Sequence, residues 1–134
     1  MEKKIFAAKL ENLDAMMDFI REGGRTAGFN DKKLNHLQLA AEEVLVNIIN
    51  HGYVDKEGDI QITLSPPREK TGLKVEVIDE GIAFNPLTLP EPDLDAPLEK
   101  REIGGLGVYL LRKLMDEVDY KREENRNILT FVKY

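Results

Sequence analysis

The chain contains no cysteine, which excludes disulfides and thiolate-held metals. It has no apolar run near the ~18 residues that a membrane span needs. The start, Met1-Glu2-Lys3-Lys4-Ile5, lacks the apolar stretch that follows the charges of a signal peptide. Positive charge is also in short supply. Nineteen Lys and Arg against 25 Asp and Glu leave a net charge of −6, which counts against a nucleic-acid binder while allowing a local basic patch. The expectation is a cytoplasmic protein that binds neither nucleic acid nor membrane directly. With 134 residues, 42% of them hydrophobic, residues 1–134 read as one domain with one core. A chain of this size buries roughly two-thirds of its unfolded surface.

Hydrophobic spacing supplies the order of elements. Residues 3–8 read as a short strand. Leu13, Met16, Met17 and Ile20 have helical spacing over residues 11–27, with Asn12 as a cap and Gly23-Gly24 as an interruption or fraying end. A second helix starts at Asn30 or Asp31 and runs to about Asn50, with Gly52 as its stop. Ile60, Ile62 and Leu64 alternate with polar residues, as do Leu73, Val75 and Val77. These two runs predict an antiparallel hairpin closed by Pro66-Pro67 and Gly72. Residues 82–103 hold Pro86, Pro90, Pro92 and Pro97 with five acidic residues, and so long an irregular stretch reads as a functional lid or a disordered loop. A third helix runs from Val108 to Asp116. Strands follow near Val118–Tyr120 and over 128–132, with residues 123–127 as a polar turn. The order β-α-α-β-β-lid-α-β-β predicts an α+β two-layer sandwich.

Three stretches carry chemistry. In Ala41–Tyr53, Glu43 and Asn47 lie four apart on one helical face. A carboxylate and an amide so placed can serve as a general base and a metal ligand, or can simply be the solvated side of a helix. Glu42 points about 100° away from that face. The second stretch is Val77-Ile78-Asp79-Glu80-Gly81-Ile82-Ala83-Phe84, where Asp79 ends a strand as a hydrogen-bond acceptor or as ordinary turn chemistry. The third is Gly104-Gly105-Leu106-Gly107. It leads into a helix, and such a junction offers backbone N–H groups and a positive dipole end to an anion.

Glu-x-x-x-Asn, then Asp-x-Gly-x-x-Phe, then Gly-Gly-x-Gly resembles the N, G1 and G2 boxes of the superfamily containing gyrase, heat-shock chaperone and histidine-kinase ATP-binding domains. Within it, the chain from about residue 5 to 134 is similar to the stand-alone anti-sigma factor serine/threonine kinases of bacteria. The resemblance implies a Bergerat-type fold, with a mixed, mostly antiparallel sheet, helices on one face and an ATP lid at about 82–103. It implies ATP and Mg²⁺ as cofactors. Asn47 would ligate the metal, Asp79 would accept from the adenine amino group, and Gly81 would let the backbone approach the base. Gly104, Gly105 and Gly107 would face the phosphates. Thr130 would lie near adenine, and Glu43 would deprotonate or orient a serine hydroxyl. His51 and Gly52 match a His-Gly pair after the N box and would lend structural support. Lys100 and Arg101 are candidate phosphate or partner contacts in the lid, or plain surface charge. Ile48 departs from the small residue usual after the Asn.

The implied function is an ATP-dependent serine/threonine kinase that phosphorylates a STAS-domain anti-anti-sigma partner, with sequestration of a sigma factor as a further role and a homodimer as the assembly. Two alternatives stand beside it: an ATP-binding regulatory module without phosphotransfer, and an isolated histidine-kinase catalytic domain.

Overall fold

The computed structural model describes residues 1–53, 56–68, 70–85, 87 and 105–134. Strand β1 spans Glu2–Ala7. A 3-10 turn at Leu10–Asn12 leads into helix α1, Leu13–Thr26, and helix α2 covers Asp31–Asn47. Strands β2 (Asp59–Ser65) and β3 (Leu73–Asp79) follow, then helix α3 (Gly105–Leu114) and strands β4 (Glu117–Glu123) and β5 (Arg126–Lys133). Among the described residues this is the expected order. The five strands form one sheet in the order β1-β2-β3-β5-β4, and every pairing is antiparallel. The fold is the two-layer α+β arrangement, with the sheet wholly antiparallel rather than mixed across the described strands.

Alternation decides which face of the sheet is covered. The register lines up Ile62, Val77 and Leu129, and beside them Leu64, Val75 and Phe131. These residues are buried with Met16 and Ile20 of α1, Leu37, Ala41, Val44 and Leu45 of α2, and Leu111 of α3. The helices therefore share one face, and α2 packs between α1 and α3. Burying side chains of this size contributes roughly 1.5–3 kcal/mol each.

Local expectations changed where tertiary packing intervened. Gly23 and Gly24 lie inside α1 and do not interrupt it. A Cβ on Gly24 would sit 2.8 Å from Leu34 Cδ2 and 2.9 Å from Leu37 Cδ2, and one on Gly23 would sit 2.7 Å from Leu64 Cδ1. Their missing side chains let α1 settle onto α2 and the sheet, which outweighs the helix-propensity loss of about 1 kcal/mol per glycine. Asn12 makes no cap hydrogen bond; its Nδ2 donates instead to the Ala7 carbonyl at 3.0 Å. Asn30 does cap α2, its Oδ1 accepting from Lys33 N–H at 2.9 Å. Among the described residues no helix is long and apolar enough to cross a membrane.

Candidate functional site

The C-terminal half of α2 carries the first pair. Val44 and Leu45 anchor this part of the helix in the core, which turns Glu43 and Asn47 to its rim, half-buried. Asn47 Nδ2 donates to Glu43 Oε1 at 3.2 Å. This bond leaves the amide oxygen of Asn47 and the second carboxylate oxygen of Glu43 without protein partners among the described residues. Glu42 is exposed and faces elsewhere. It lines a groove of about 370 Å³ between α1 and α2 with Leu13, Asp14, Met17, Asp18 and Gln38.

α2 does not continue as an α-helix to Asn50. It widens after Asn47 into a π-helical turn, Ile48–Gly52, a feature that often marks functional sites. The turn carries exposed His51 and delivers Gly52 to the end of β3. The Gly52 carbonyl accepts from Ile82 N–H at 2.9 Å. A Cβ on Gly81 would lie 2.3 Å from that carbonyl oxygen and 2.9 Å from Asp79 Oδ1. Only glycine permits so close an approach of two backbone segments.

Asp79 and Asn127 are the buried polar side chains among the described residues, at 4% and 7% exposure. A buried carboxylate requires compensating donors. Asp79 Oδ1 accepts from Gly81 N–H at 2.8 Å and from Asn127 Nδ2 at 3.0 Å, while Oδ2 has no protein partner among the described residues. The Arg122 Nη1 donates to the Gly81 carbonyl at 2.9 Å. Tyr53 closes the other side. Its hydroxyl donates to the Asp59 carbonyl and accepts from Glu80 N–H at 2.8 Å. Burial pushes the Tyr53 pKa above its usual value, and the Asp79 and Glu80 carboxylates add to the rise.

Helix α3 begins at Gly105, so Gly105 and Gly107 lie in its first turn and not in a loop before it. The first N–H groups of a helix have no intrahelical acceptor, and glycine keeps them open to an anion. Gly104, Lys100, Arg101 and nearly all of the expected lid lie outside the described residues. Thr130 requires a correction. Its register partners are Glu76 and Asp119, which sets it on the face opposite Asp79 and Leu129. Side chains alternate along a strand, so Thr130 cannot join Asp79. Asn127 takes that place. The sequence pattern puts it in a polar turn, but the turn is only Glu124-Asn125, both with positive φ (53° and 64°). A two-residue turn of this kind puts Asn127 into β5, in phase with Leu129 and Phe131. The alternation 127, 129, 131 was the available signal.

A sequence model of the family described as "Histidine kinase-like ATPase domain" matches residues 6–133. The chain belongs to this family. The ATPase domain is 30% identical to the serine-protein kinase RsbW of Bacillus mycoides over 106 residues, covering 76% of this chain and 65% of that protein. It is 28% identical to serine-protein kinase RsbW of a Bacillus cereus strain over the same length, again spanning 65% of the relative. Solved structures that share its fold include two of known source. One contains the RsbU and RsbW domains of a Mycobacterium tuberculosis protein, with a TM-score of 0.63 at 14% identity, covering 99% of this chain and 32% of that one. The other is the histidine kinase domain of a blue-light activated kinase from Erythrobacter litoralis, with a TM-score of 0.55 at 20% identity, covering 90% and 60% of the two chains.

Membership implies use of ATP and Mg²⁺, and the residues of the ATPase domain fit both. Asp79 offers an unshared carboxylate oxygen beside a glycine. The Asn47 amide is turned with its nitrogen to Glu43, which leaves its oxygen free for a hard cation.

Proposed function

We propose that this chain is an ATP-dependent serine/threonine kinase of the anti-sigma factor type, transferring phosphate to a serine of a STAS-domain partner. The observation that carries the reading is the Glu43–Asn47 pair on one face of α2, one π-helical turn away from the Asp79 pocket. Asp79 Oδ2 accepts from the 6-amino group of adenine, a donor that guanine lacks at that position. The first turn of α3, with Gly105 and Gly107, directs backbone N–H groups toward phosphate oxygens. Asn47 would hold Mg²⁺ through its amide oxygen. The metal supplies charge neutralisation and ordering of the phosphates. Glu43 holds the acceptor hydroxyl with its free oxygen and takes its proton as that hydroxyl attacks the γ-phosphorus, while the bond to the β–γ bridging oxygen breaks and ADP leaves.

The likeness to two serine-protein kinases supports serine as the acceptor. Sequestration of a sigma factor and a homodimeric state belong to the same reading. The test uses γ-labelled Mg-ATP with purified STAS-domain proteins from the same genome. Acid-stable label on a partner serine is expected. Acid-labile label on histidine would move the chain to the histidine kinases. Tight ATP binding without any labelled protein would make it a regulatory module.

A further inference from the structure

The sheet register aligns Arg122 with Asn127 and Asn127 with Asp79 in one row at the end of β3. The Asn127 amide uses all its hydrogen-bonding positions inside the protein. Nδ2 donates to Asp79 Oδ1 at 3.0 Å and to the Ile82 carbonyl at 2.7 Å. Oδ1 accepts from the Tyr120 hydroxyl at 2.6 Å and from Phe84 N–H at 3.4 Å. These partners fix which way round the amide sits. Turned over, its oxygen would meet a carboxylate and a carbonyl, and its nitrogen would meet an N–H donor. Gly81 N–H holds the same Asp79 oxygen from the other side. A carboxylate held only by an approaching ligand can rotate, whereas one gripped at Oδ1 by two donors presents Oδ2 in a single direction.

We propose that Asn127 is a positioning residue for nucleotide specificity. Its carboxamide locks the Asp79 carboxylate so that Oδ2 faces the 6-amino group of adenine, and the same amide ties residues 82 and 84 to the sheet. Tyr120 holds the amide in register, and Arg122 braces the Gly81 carbonyl. The inference rests on the reading of Asp79 as the acceptor for the base. The charged and titratable groups bonded to the amide or to its neighbours are Asp79 on β3 and Tyr120 and Arg122 on β4, and Tyr53 lies within electrostatic reach of Asp79.

The experiment titrates the full chain with Mg-ATP and Mg-GTP from about pH 5 to about pH 9, with circular dichroism confirming the fold. Wild type, Asp79→Asn, Asn127→Leu, Asn127→Asp and Tyr120→Phe are compared. Asn127→Leu is expected to weaken ATP binding about 10- to 100-fold and to cut the preference over GTP by about 10-fold. In Asn127→Asp two carboxyl groups at hydrogen-bond distance share one proton at acid pH, which restores a donor to Asp79. ATP affinity relative to wild type at the same pH should be close to one there and fall by about 10-fold or more as that proton leaves. Tyr120→Phe should cost a few-fold in ATP affinity.

Asn127→Asp binding ATP like wild type at every pH, with the same preference, would overturn the positioning role even if Asn127→Leu folds poorly. So would an equal pH trend with GTP, which would signal general loss of structure. Wild type that does not prefer ATP to GTP would remove the base-reading role of Asp79 and this inference with it. Wild type that prefers ATP, with the preference lost in Asp79→Asn but kept in both Asn127 variants, would remove the positioning role alone.

Discussion

The two ends of the proposed site are built differently. At the end of β3, Asp79 is 4% exposed and accepts from Gly81 N–H and Asn127 Nδ2, while Arg122 donates to the Gly81 carbonyl and the Tyr53 hydroxyl accepts from Glu80 N–H. At the end of α2, Glu43 and Asn47 are half-buried and share a single hydrogen bond of 3.2 Å. The first end is held in place by its own hydrogen bonds before any ligand arrives, with Asp79 Oδ2 alone left over among the described residues, as a group proposed to read one base requires. The second keeps oxygen atoms unshared, which suits groups that complete their coordination with phosphate, metal and an incoming hydroxyl. On the proposed reading, specificity is prebuilt in the sheet and chemistry is left open on the helix.

Substitutions that treat the two ends separately would break or sharpen that contrast. The largest binding effect should come from Asp79→Asn, which replaces an acceptor with a donor facing the adenine amino group. A loss of ATP affinity of about 100-fold or more is expected in a calorimetric titration, with melting less affected than binding. Asn47→Ala should weaken ATP binding by about 10-fold or more in the presence of Mg²⁺ and much less with excess chelator. Equal losses with and without the metal would mean that Asn47 supports the fold instead. Gly24→Ala touches neither end. The added Cβ meets Leu34 and Leu37 at under 3 Å, so a stability loss of about 1–3 kcal/mol by denaturant melting is expected, with ATP affinity retained in the folded protein.

Tyr53→Phe should cost about 1 kcal/mol. Because folding raises the Tyr53 pKa, its contribution is present below the unfolded value of about 10 and is lost as pH rises through the folded value. The stability gap between wild type and Tyr53→Phe should therefore narrow in alkali, which melts at a series of pH values would reveal.

Much of this architecture was legible in the residues. Ile60-Ile62-Leu64 and Leu73-Val75-Val77 alternate so regularly that both strands and their hairpin followed. The four-residue spacing of Glu43 and Asn47 was enough to place them together and to send Glu42 elsewhere. What escaped was whatever depended on a neighbour distant in sequence. Gly23-Gly24 reads locally as a break, because its packing against Leu34, Leu37 and Leu64 is tertiary. The π-helical turn after Asn47 leaves no periodic trace, since it is held where Gly52 meets Ile82. Asn127 looked like turn chemistry among Glu123-Glu124-Asn125-Arg126. Its role depends on strand register, and the same register places Thr130 on the opposite face.

The division of labour is tested most directly at Glu43. Glu43→Ala and wild type would be compared in one experiment for Mg-ATP affinity and for single-turnover transfer of γ-phosphate to the partner serine. The account predicts an affinity within about 3-fold of wild type and transfer slowed by about 10²- to 10⁴-fold, the range expected for loss of a general base. Transfer at the wild-type rate, or loss of ATP binding in step with loss of transfer, would contradict it.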